Sequence, residues 1–597
     1  MKQLLMGNEA MALGAIRAGV SVVSGYPGTP STEVLETVAK CNPGPIYVEW
    51  SVNEKCALEV AAGAAYAGAR ALVTMKQVGL NVASDPLMSL NYVGVKGGLV
   101  IVVADDPGPI SSQTEQDTRH FGIYAKLAVF DPSTPEEAYY MMAEAFELSE
   151  QTGRPVLLRP TTRVCHSCAS VEVDEAPPAA KPAEGFVKDS RWVIFPRLAY
   201  ANKIKLEENT VNLSLQLSAY HRNRVSGDGR RGIATGGVSY TYVQEALDVL
   251  KPLGAAARVL KVSAYPFPRE LAEEFLDGLT EVLVVEELDP VIERELIALC
   301  GAKGIAVTIK GKLTGHLPNA GENTADGVKQ AVATFLDIPL EAMDAPALPP
   351  LPVRPPTLCA GCPHRASFFA VKESCAGRKA VFSGDIGCYT LGNAQPLDMV
   401  DTCLCMGAGI SVAQGLHRVE PDAANFAFIG DSTFFHSGIA GIVNAVYNET
   451  DIIVVILDNS TTAMTGGQPH PGTGKTMMGN ISDKISIYNV VSALGVNQIQ
   501  RVNPFDQTAA KAALKIALEA SGVRVILFEA PCIAVAKSGP ALIVNPDKCT
   551  GCKLCVKKLG CPAITLESGK AVINAALCIG CKLCASVCKF GAMGGAV

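Results

Sequence analysis

Short, continuous apolar runs recur along the chain and alternate with stretches whose apolar positions fall three or four apart. The runs at 20–23, 99–104, 282–285, 306–309, 426–429, 452–457 and 525–529 predict buried strands. A parallel sheet is covered on both faces, so its strands read as unbroken apolar segments rather than as alternating ones. The Ala- and Gly-rich stretches between them predict helices, as in the segment that starts at Ser31 after Gly25-Tyr26-Pro27-Gly28-Thr29-Pro30. Strand and helix in regular alternation predict an α/β, multidomain protein built on parallel sheets. None of the apolar runs approaches the roughly 18 residues that span a bilayer, so no membrane is expected.

Composition shifts mark the expected boundaries. Residues 1–175 form the first α/β domain, and 176–230 a linker opening with Ala176-Pro177-Pro178-Ala179-Ala180, followed by a polar, weakly periodic excursion. A second α/β domain is expected at 231–342, a Pro-rich linker at 343–354, a third α/β domain at 355–540 and a Cys-rich module at 541–597. Nothing repeats at a fixed period of 20–50 residues, which excludes a solenoid. With 48% apolar and 18% charged residues among 597, general disorder is excluded. The net charge of −7 offers no basic footprint for nucleic acid. The first residues are Gly-interrupted and contain an acid, so no secretory signal is expected and the cytoplasm is the expected compartment. There, 20 cysteines, eight of them between 549 and 588, point to metal or redox chemistry rather than to disulfides.

The tail reads Cys549-x2-Cys552-x2-Cys555-x5-Cys561-Pro562 and then Cys578-x2-Cys581-x2-Cys584-x3-Cys588. Three thiolates two residues apart wrap a loop around three corners of a cubane. In the bacterial two-cluster pattern the fourth Cys of each run serves the other cluster. One [4Fe-4S] cluster would then use Cys549, Cys552, Cys555 and Cys588, and the other Cys578, Cys581, Cys584 and Cys561. The x5 gap in the first run and Lys589 in place of a second Pro depart from the pattern. Zinc ribbons bring two separated CxxC pairs instead. The module's seven Lys against Asp547 and Glu567 would offset cluster charge or dock an acidic electron carrier.

In the third α/β domain, Gly430-Asp431-Ser432 and, after a second buried strand, Asp458-Asn459-Ser460-Thr461 each follow an apolar run. Both therefore stand at the carboxyl ends of strands, where parallel sheets bind ligands. Their oxygen donors suit Mg²⁺ bound together with substrate phosphates.

This segment, with Ala463-Met464-Thr465-Gly466-Gly467-Gln468, resembles the thiamine diphosphate motif of the 2-oxoacid:ferredoxin oxidoreductases, and the resemblance extends over nearly the whole chain. Gly25-Tyr26-Pro27-Gly28-Thr29-Pro30-Ser31 is similar to the opening of that family's pyrimidine-binding domain. Thr235-Gly236-Gly237-Val238-Ser239-Tyr240 lies in a segment resembling its transketolase C-terminal-like domain. The resemblance implies that the 355–540 domain binds the cofactor's diphosphate and that the tail is ferredoxin-like. It implies Mg²⁺ held beside Gly430 by the side chains of Asp431 and Asn459 and the carbonyl of Thr461.

By the same resemblance, Glu54 would be the catalytic glutamate on the cofactor's aminopyrimidine, with Glu59 the rival. Thr29 would lie near the substrate's keto-acid group, or else cap the next helix as a turn hydroxyl. Cys405 and Met406 would face the cofactor or line the core. Cys359, Cys362, Cys388 and Cys532 match the ligands of a third [4Fe-4S] cluster, or are buried small hydrophobes. His364 stands beside them as a ligand neighbour or a structural donor. The carboxylate-gripping arginine of the pyruvate enzymes has no counterpart, because the strand ends Ala104-Asp105-Asp106-Pro107.

The implied activity is oxidative decarboxylation of a 2-oxo acid to an acyl-coenzyme A and CO₂, with electrons passed to ferredoxin. The domain order and Cys359-Ala360-Gly361-Cys362-Pro363-His364-Arg365 point to the large subunits acting on arylpyruvates such as indolepyruvate. Pyruvate or 2-oxoglutarate as substrate, and a non-catalytic electron-transfer subunit, are the alternatives. The resemblance further implies a separate small (beta) subunit in a heterotetramer with two copies of each chain.

Overall fold

The computed structural model describes residues 1–173, 182–340 and 349–595. The Pro-rich run at 176–180 and the first half of the one at 345–352 lie outside the described residues. The chain divides into two compact units, Met1–Ala347 and Leu348–Val597. Among the described residues no helix is long and apolar enough to cross a membrane.

The first unit holds two main sheets. One runs in the order Ala264–Tyr265, Ala128–Phe130, Val156–Leu158, Leu99–Ala104, Ala71–Lys76, Val22–Gly25, Tyr47–Trp50. All its pairings are parallel except the one that adds Ala264–Tyr265. Leu99–Ala104 is buried along its whole length, which is why it reads as an unbroken apolar run. The strand expected at 20–23 begins at Val22, because the Val20 amide still closes the preceding helix onto Ala15 O.

The second sheet has the order Thr308–Lys310, Glu281–Val285, Arg231–Gly236, Arg258–Val262, Arg224–Ser226. The strand expected at 306–309 starts at Thr308, after Val307 N turns back onto Ile305 O. Two elements cross the expected boundary at 231. Arg224–Ser226, inside the stretch read as linker, is an edge strand, and Ala264–Tyr265 completes the other sheet. Strands of two or three residues leave too short an apolar run to be seen in sequence. Within the excursion, Pro196–Ser218 is a helix burying only Leu206, Leu213 and Leu217, a stripe narrow enough to explain its weak periodicity.

A buried ion network joins the two sheets. Arg159 Nε donates to Asp105 at 2.6 Å, and its Nη1 reaches Asp131 at 3.2 Å. Arg119 bonds Asp117, and its Nη1 meets Glu286 Oε2 at 2.8 Å. Beside them Glu287 is 4% exposed and pushed up to about 7, chiefly by burial. Buried charges persist only when paired and hydrogen-bonded.

The second unit holds an all-parallel sheet in the order Ala380–Ser383, Ala424–Gly430, Ile452–Asp458, Val523–Glu529, Gln498–Val502. The Cys-rich module pairs Ile543–Val544 with Met593–Gly594 and Ile564–Glu567 with Lys570–Ile573. Its two Cys triads share one local geometry: Cys-x-Gly-Cys-Lys-Leu-Cys occurs at 549 and again at 578. Gly551 and Gly580 have φ of +70° and +72° and Lys553 and Lys582 of +63° and +62°, and each triad runs into a short helix. A Cβ on either glycine would lie 2.4 Å from a backbone carbonyl oxygen, so glycine is needed at both. This two-copy duplication is not apparent from a search for longer arrays.

Because the folded pKa of Glu287 lies above its unfolded value, the native state binds more protons between about pH 4.5 and 7, and stability falls as pH rises through that window. Glu287→Gln is expected to be near neutral at pH 5 and stabilising at pH 8, by up to about 3 kcal/mol. Denaturant unfolding at both pH values checks this, and equal differences at the two would contradict it.

Candidate functional site

In the second unit, the register Gly430↔Leu457 sets the ends of two neighbouring strands side by side. Asp431 follows the first and Asn459 the second, and both are buried. Asp431 Oδ2 accepts the amides of Asn459 at 3.0 Å and Ser460 at 2.7 Å, and Oδ1 accepts that of Ser432 at 2.8 Å. Asn459 Oδ1 accepts Thr461 N at 3.1 Å, and Thr461 O accepts Ala463 N at 3.0 Å. Gly430 is fixed by packing, since a Cβ there would lie 2.6 Å from the Tyr389 ring.

Besides Asp458 and His364, which the motifs already contained, His470, Asp385 and Tyr389 complete this end of the sheet. His470 Nε2 stands 3.2 Å from Asp431 Oδ2. The Asp458 carboxyl is pushed up to about 6, by burial first and then by the Asp431 carboxylate beside it. Asp385 Oδ1 accepts the amides of Ile386 and Gly407, and its Oδ2 accepts the Tyr389 hydroxyl at 2.8 Å. Burial raises Asp385 to about 6. The Tyr389 hydroxyl also lies 3.2 Å from Thr433 Oγ1. Asp385 was visible in Gly384-Asp385-Ile386-Gly387-Cys388, but nothing in its spacing separates a support from a ligand. His364 Nε2 lies 3.1 Å from Asn459 Nδ2, and burial lowers its pKa to about 4. A neutral ring there accepts the amide hydrogen and turns Asn459 Oδ1 the other way, which makes His364 an orienting partner. Two carboxylates crowded together with an amide oxygen and a free carbonyl lone pair form a hard donor set that fits a divalent cation such as Mg²⁺. Cys405 is exposed and Met406 half-buried, in the loop whose Gly407 amide Asp385 holds.

All twenty cysteines are free thiols. Cys561, Cys578, Cys581 and Cys584 line one cavity, whose wall also includes Cys362 and Arg365. Cys549, Cys552, Cys555 and Cys588 line a second. The longer loop before Cys561 does not carry it away from its set. Among the described residues no three His, Cys, Asp or Glu converge closely enough to hold a single metal ion. A mononuclear zinc site, with bonds of about 2.3 Å, demands such convergence. Thiols spread around a cavity suit a multi-iron core in which each iron takes one.

A third group gathers next to the strand ends. Cys388 has Cys532 and Cys359 among its electrostatic neighbours, and Cys362 has Cys359. Cys532 N donates to Asn459 O at 2.9 Å, which ties this group to the Asp431 site. Burial raises Cys362 to about 12 as a thiol, so ligation would have to drive off its proton. Gly361, with φ of +76°, leaves room for Ile579, onto whose side chain a Cβ would fall at 2.2 Å.

In the first unit, Glu54 opens the helix Glu54–Tyr66, with Asn53 capping through Cys56 N at 2.8 Å. It is buried, and a Cβ on Gly79 would lie 2.6 Å from its Oε1. Glu59 is exposed and paired with Lys55, as a solvated helix charge would be. Thr29 does not cap the next helix: Ser31 Oγ donates to Gly28 O, and Thr32 Oγ1 accepts Gly28 N. Thr29 is half-buried, and its carbonyl accepts Ser111 Oγ at 3.1 Å. Lys76, which the sequence reading passed over, ends the neighbouring strand with Asp106 and Glu54 as its charged neighbours, and burial lowers its pKa. Asp105, which interrupted the match to a carboxylate-binding arginine, is committed to Arg159.

Three family models match the chain: "Pyruvate flavodoxin/ferredoxin oxidoreductase, thiamine diP-bdg" over 13–191, "Thiamine pyrophosphate enzyme, C-terminal TPP binding domain" over 385–528 and "4Fe-4S dicluster domain" over 541–589. They define a thiamine-diphosphate-binding, iron–sulfur protein of the 2-oxoacid:ferredoxin oxidoreductase class. The chain is 43% identical to the indolepyruvate oxidoreductase subunit IorA of Methanothermobacter thermautotrophicus, over 94% of this chain and 91% of that one. It is 41% identical to the IorA of Thermococcus kodakarensis, over 93% and 91%. The 2-oxoglutarate synthase subunit KorA of Archaeoglobus fulgidus is 26% identical over 51% of this chain and 94% of its own. The chain belongs to the family of the indolepyruvate oxidoreductase IorA subunits.

Proposed function

We propose that the chain is the large subunit of an enzyme that oxidatively decarboxylates arylpyruvates, indolepyruvate among them, to aryl-acetyl-coenzyme A and CO₂. The observation that carries this reading is one compact unit holding the Asp431–Asn459 strand-end site, a cysteine group tied to it through Cys532, and two further cavities each lined by four cysteines. The names of the relatives at 41–43% identity support the aryl substrate. The free thiols fit a reducing compartment such as the cytoplasm.

Thiamine diphosphate, when bound, supplies a nucleophilic carbon for the substrate's keto group and takes up the electron pair released with CO₂. Around it this chain's residues orient and hold protons. Asp431, Asn459 and the Thr461 carbonyl hold Mg²⁺ on the diphosphate, with His364 fixing the amide and His470 flanking the carboxylate. Gly430 keeps Tyr389 in place. Glu54, packed against Gly79, would hold a proton on the aminopyrimidine ring of a bound cofactor. Thr29 stands near the keto-acid group, and Cys405 and Met406 face the cofactor.

Cys359, Cys362, Cys388 and Cys532 would hold one iron–sulfur cluster and the two tail quartets one each, which would supply one-electron acceptors between this site and ferredoxin; the module's Lys residues would help to dock that carrier. A separate small subunit completes the enzyme, as a heterotetramer.

Anaerobic dye reduction by the chain co-expressed with its small subunit, with coenzyme A present, tests the substrate. Higher kcat/KM for indolepyruvate than for pyruvate or 2-oxoglutarate is expected, and activity on pyruvate alone would contradict the assignment. Glu54→Gln should retain thiamine diphosphate and iron while turnover falls by two or more orders of magnitude. Unchanged turnover would remove Glu54 from the chemistry. Cys532→Ser should lower iron by one cluster per chain, and iron equal to wild type would eliminate the third cluster.

A further inference from the structure

Arg365 sits on the helix Pro363–Ser374, three residues after Cys362, and is only 4% exposed. One nitrogen, Nη1, donates to the carbonyls of Leu559 and Gly560, the latter at 2.9 Å, and Nη2 donates to that of Leu358. Its Nε is buried and finds no hydrogen-bond partner among the described residues. No carboxylate pairs with it there either. The groups that face the guanidinium are the thiols of Cys561, Cys362, Cys359 and Cys581.

Arg365 also lines the cavity formed by Cys561, Cys578, Cys581 and Cys584, whereas it is absent from the lining of the Cys549, Cys552, Cys555 and Cys588 cavity. A buried guanidinium neutralised only by carbonyl dipoles is strongly disfavoured. Four thiolates around an iron–sulfur core carry net negative charge, which grows by one electron on reduction. Such a core in this cavity would supply the counter-charge that the protein omits.

We propose that Arg365 raises the reduction potential of the cluster held by Cys561, Cys578, Cys581 and Cys584 by stabilising its reduced form. The proposal rests on the reading of that quartet as a cluster site. Charge and hydrogen bonding near the sulfurs are the protein's principal controls over cluster potential. The fixed positive charge favours the extra electron on this cluster, and it stands on the side towards Cys359 and Cys362. Arg365 is therefore a positioning residue for electrons: it makes this quartet a sink for the group next to Asn459, and it acts on no substrate atom.

Redox-poised low-temperature EPR of the anaerobic enzyme with its small subunit tests this, using Arg365→Gln and Arg365→Lys variants that match wild-type iron and sulfide. Arg365→Gln is expected to move one cluster's titration to more negative potential and leave the other tail cluster unmoved, while Arg365→Lys stays near wild type. Equal shifts in both variants would trace the effect to the lost carbonyl bonds and overturn the charge role, as would no shift in either.

A second test needs no substitution. In wild type labelled with ¹⁵N-arginine, the spin echo of that reduced cluster should show modulation from the labelled nitrogen, and its absence overturns the proposal. A wild-type enzyme with no reducible cluster at this quartet would instead overturn the reading beneath it, and the proposal with it.

Discussion

The parallel pairing of Ala424–Gly430 with Ile452–Asp458 is the contact on which the rest of the second unit depends. It fixes Asp431 against the backbone of Asn459 and Ser460, and so crowds Asp431 and Asp458 into one desolvated corner. A one-residue slip would turn every side chain of either strand to the other face. Residues 452–457 are buried on both faces, so such a slip would have to repack the apolar layers on either side of the sheet. The sheet's apolar core thus acts at a distance: it makes an electrostatically unfavourable pair of carboxylates persist where a cation can relieve it. The next strand, Val523–Glu529, pairs with Ile452–Asp458 and leads to Cys532, so the Asp431 strand end is aligned with the nearest cysteine group.

Charge is handled differently in the two units. In the first, buried acids and arginines neutralise one another in the network around Arg159 and Arg119, which binds one sheet to the other. In the second, Arg524 pairs with Asp451, but among the described residues the buried Arg365 meets only carbonyls and thiols. A self-neutralised network serves structure. A charge left without a protein partner marks a place where an ionic group is expected. Asp105 and Asp431 both follow buried parallel strands, but Asp105 is committed to Arg159 whereas Asp431 meets His470 and backbone amides.

Much of this was legible in sequence because the signals were long or chemically unusual. Unbroken apolar runs gave the strands at 99–104 and 452–457, and Cys spacing gave the two quartets, including the exchange of Cys561 and Cys588 between them. The edge strands Arg224–Ser226 and Ala264–Tyr265 were illegible, since pairing at an edge needs only two or three residues and leaves no periodicity. His470 and Lys76 were missed for another reason. Each takes its place from neighbours far along the chain, and a lone His or Lys has no local pattern to announce it. Glu54 could be preferred over Glu59 only by resemblance, whereas the fold separates them by burial: one packs on Gly79 and the other pairs with Lys55 in solvent.

The central claim is that decarboxylation and electron exit belong to one enzyme whose cysteine quartets receive the released electrons. Freeze-quench EPR of the anaerobic enzyme with its small subunit, mixed with indolepyruvate and no dye and followed alongside CO₂ release, addresses this most directly. The account predicts a reduced iron–sulfur signal that rises together with CO₂. Release of CO₂ while every cluster stays oxidised would contradict it.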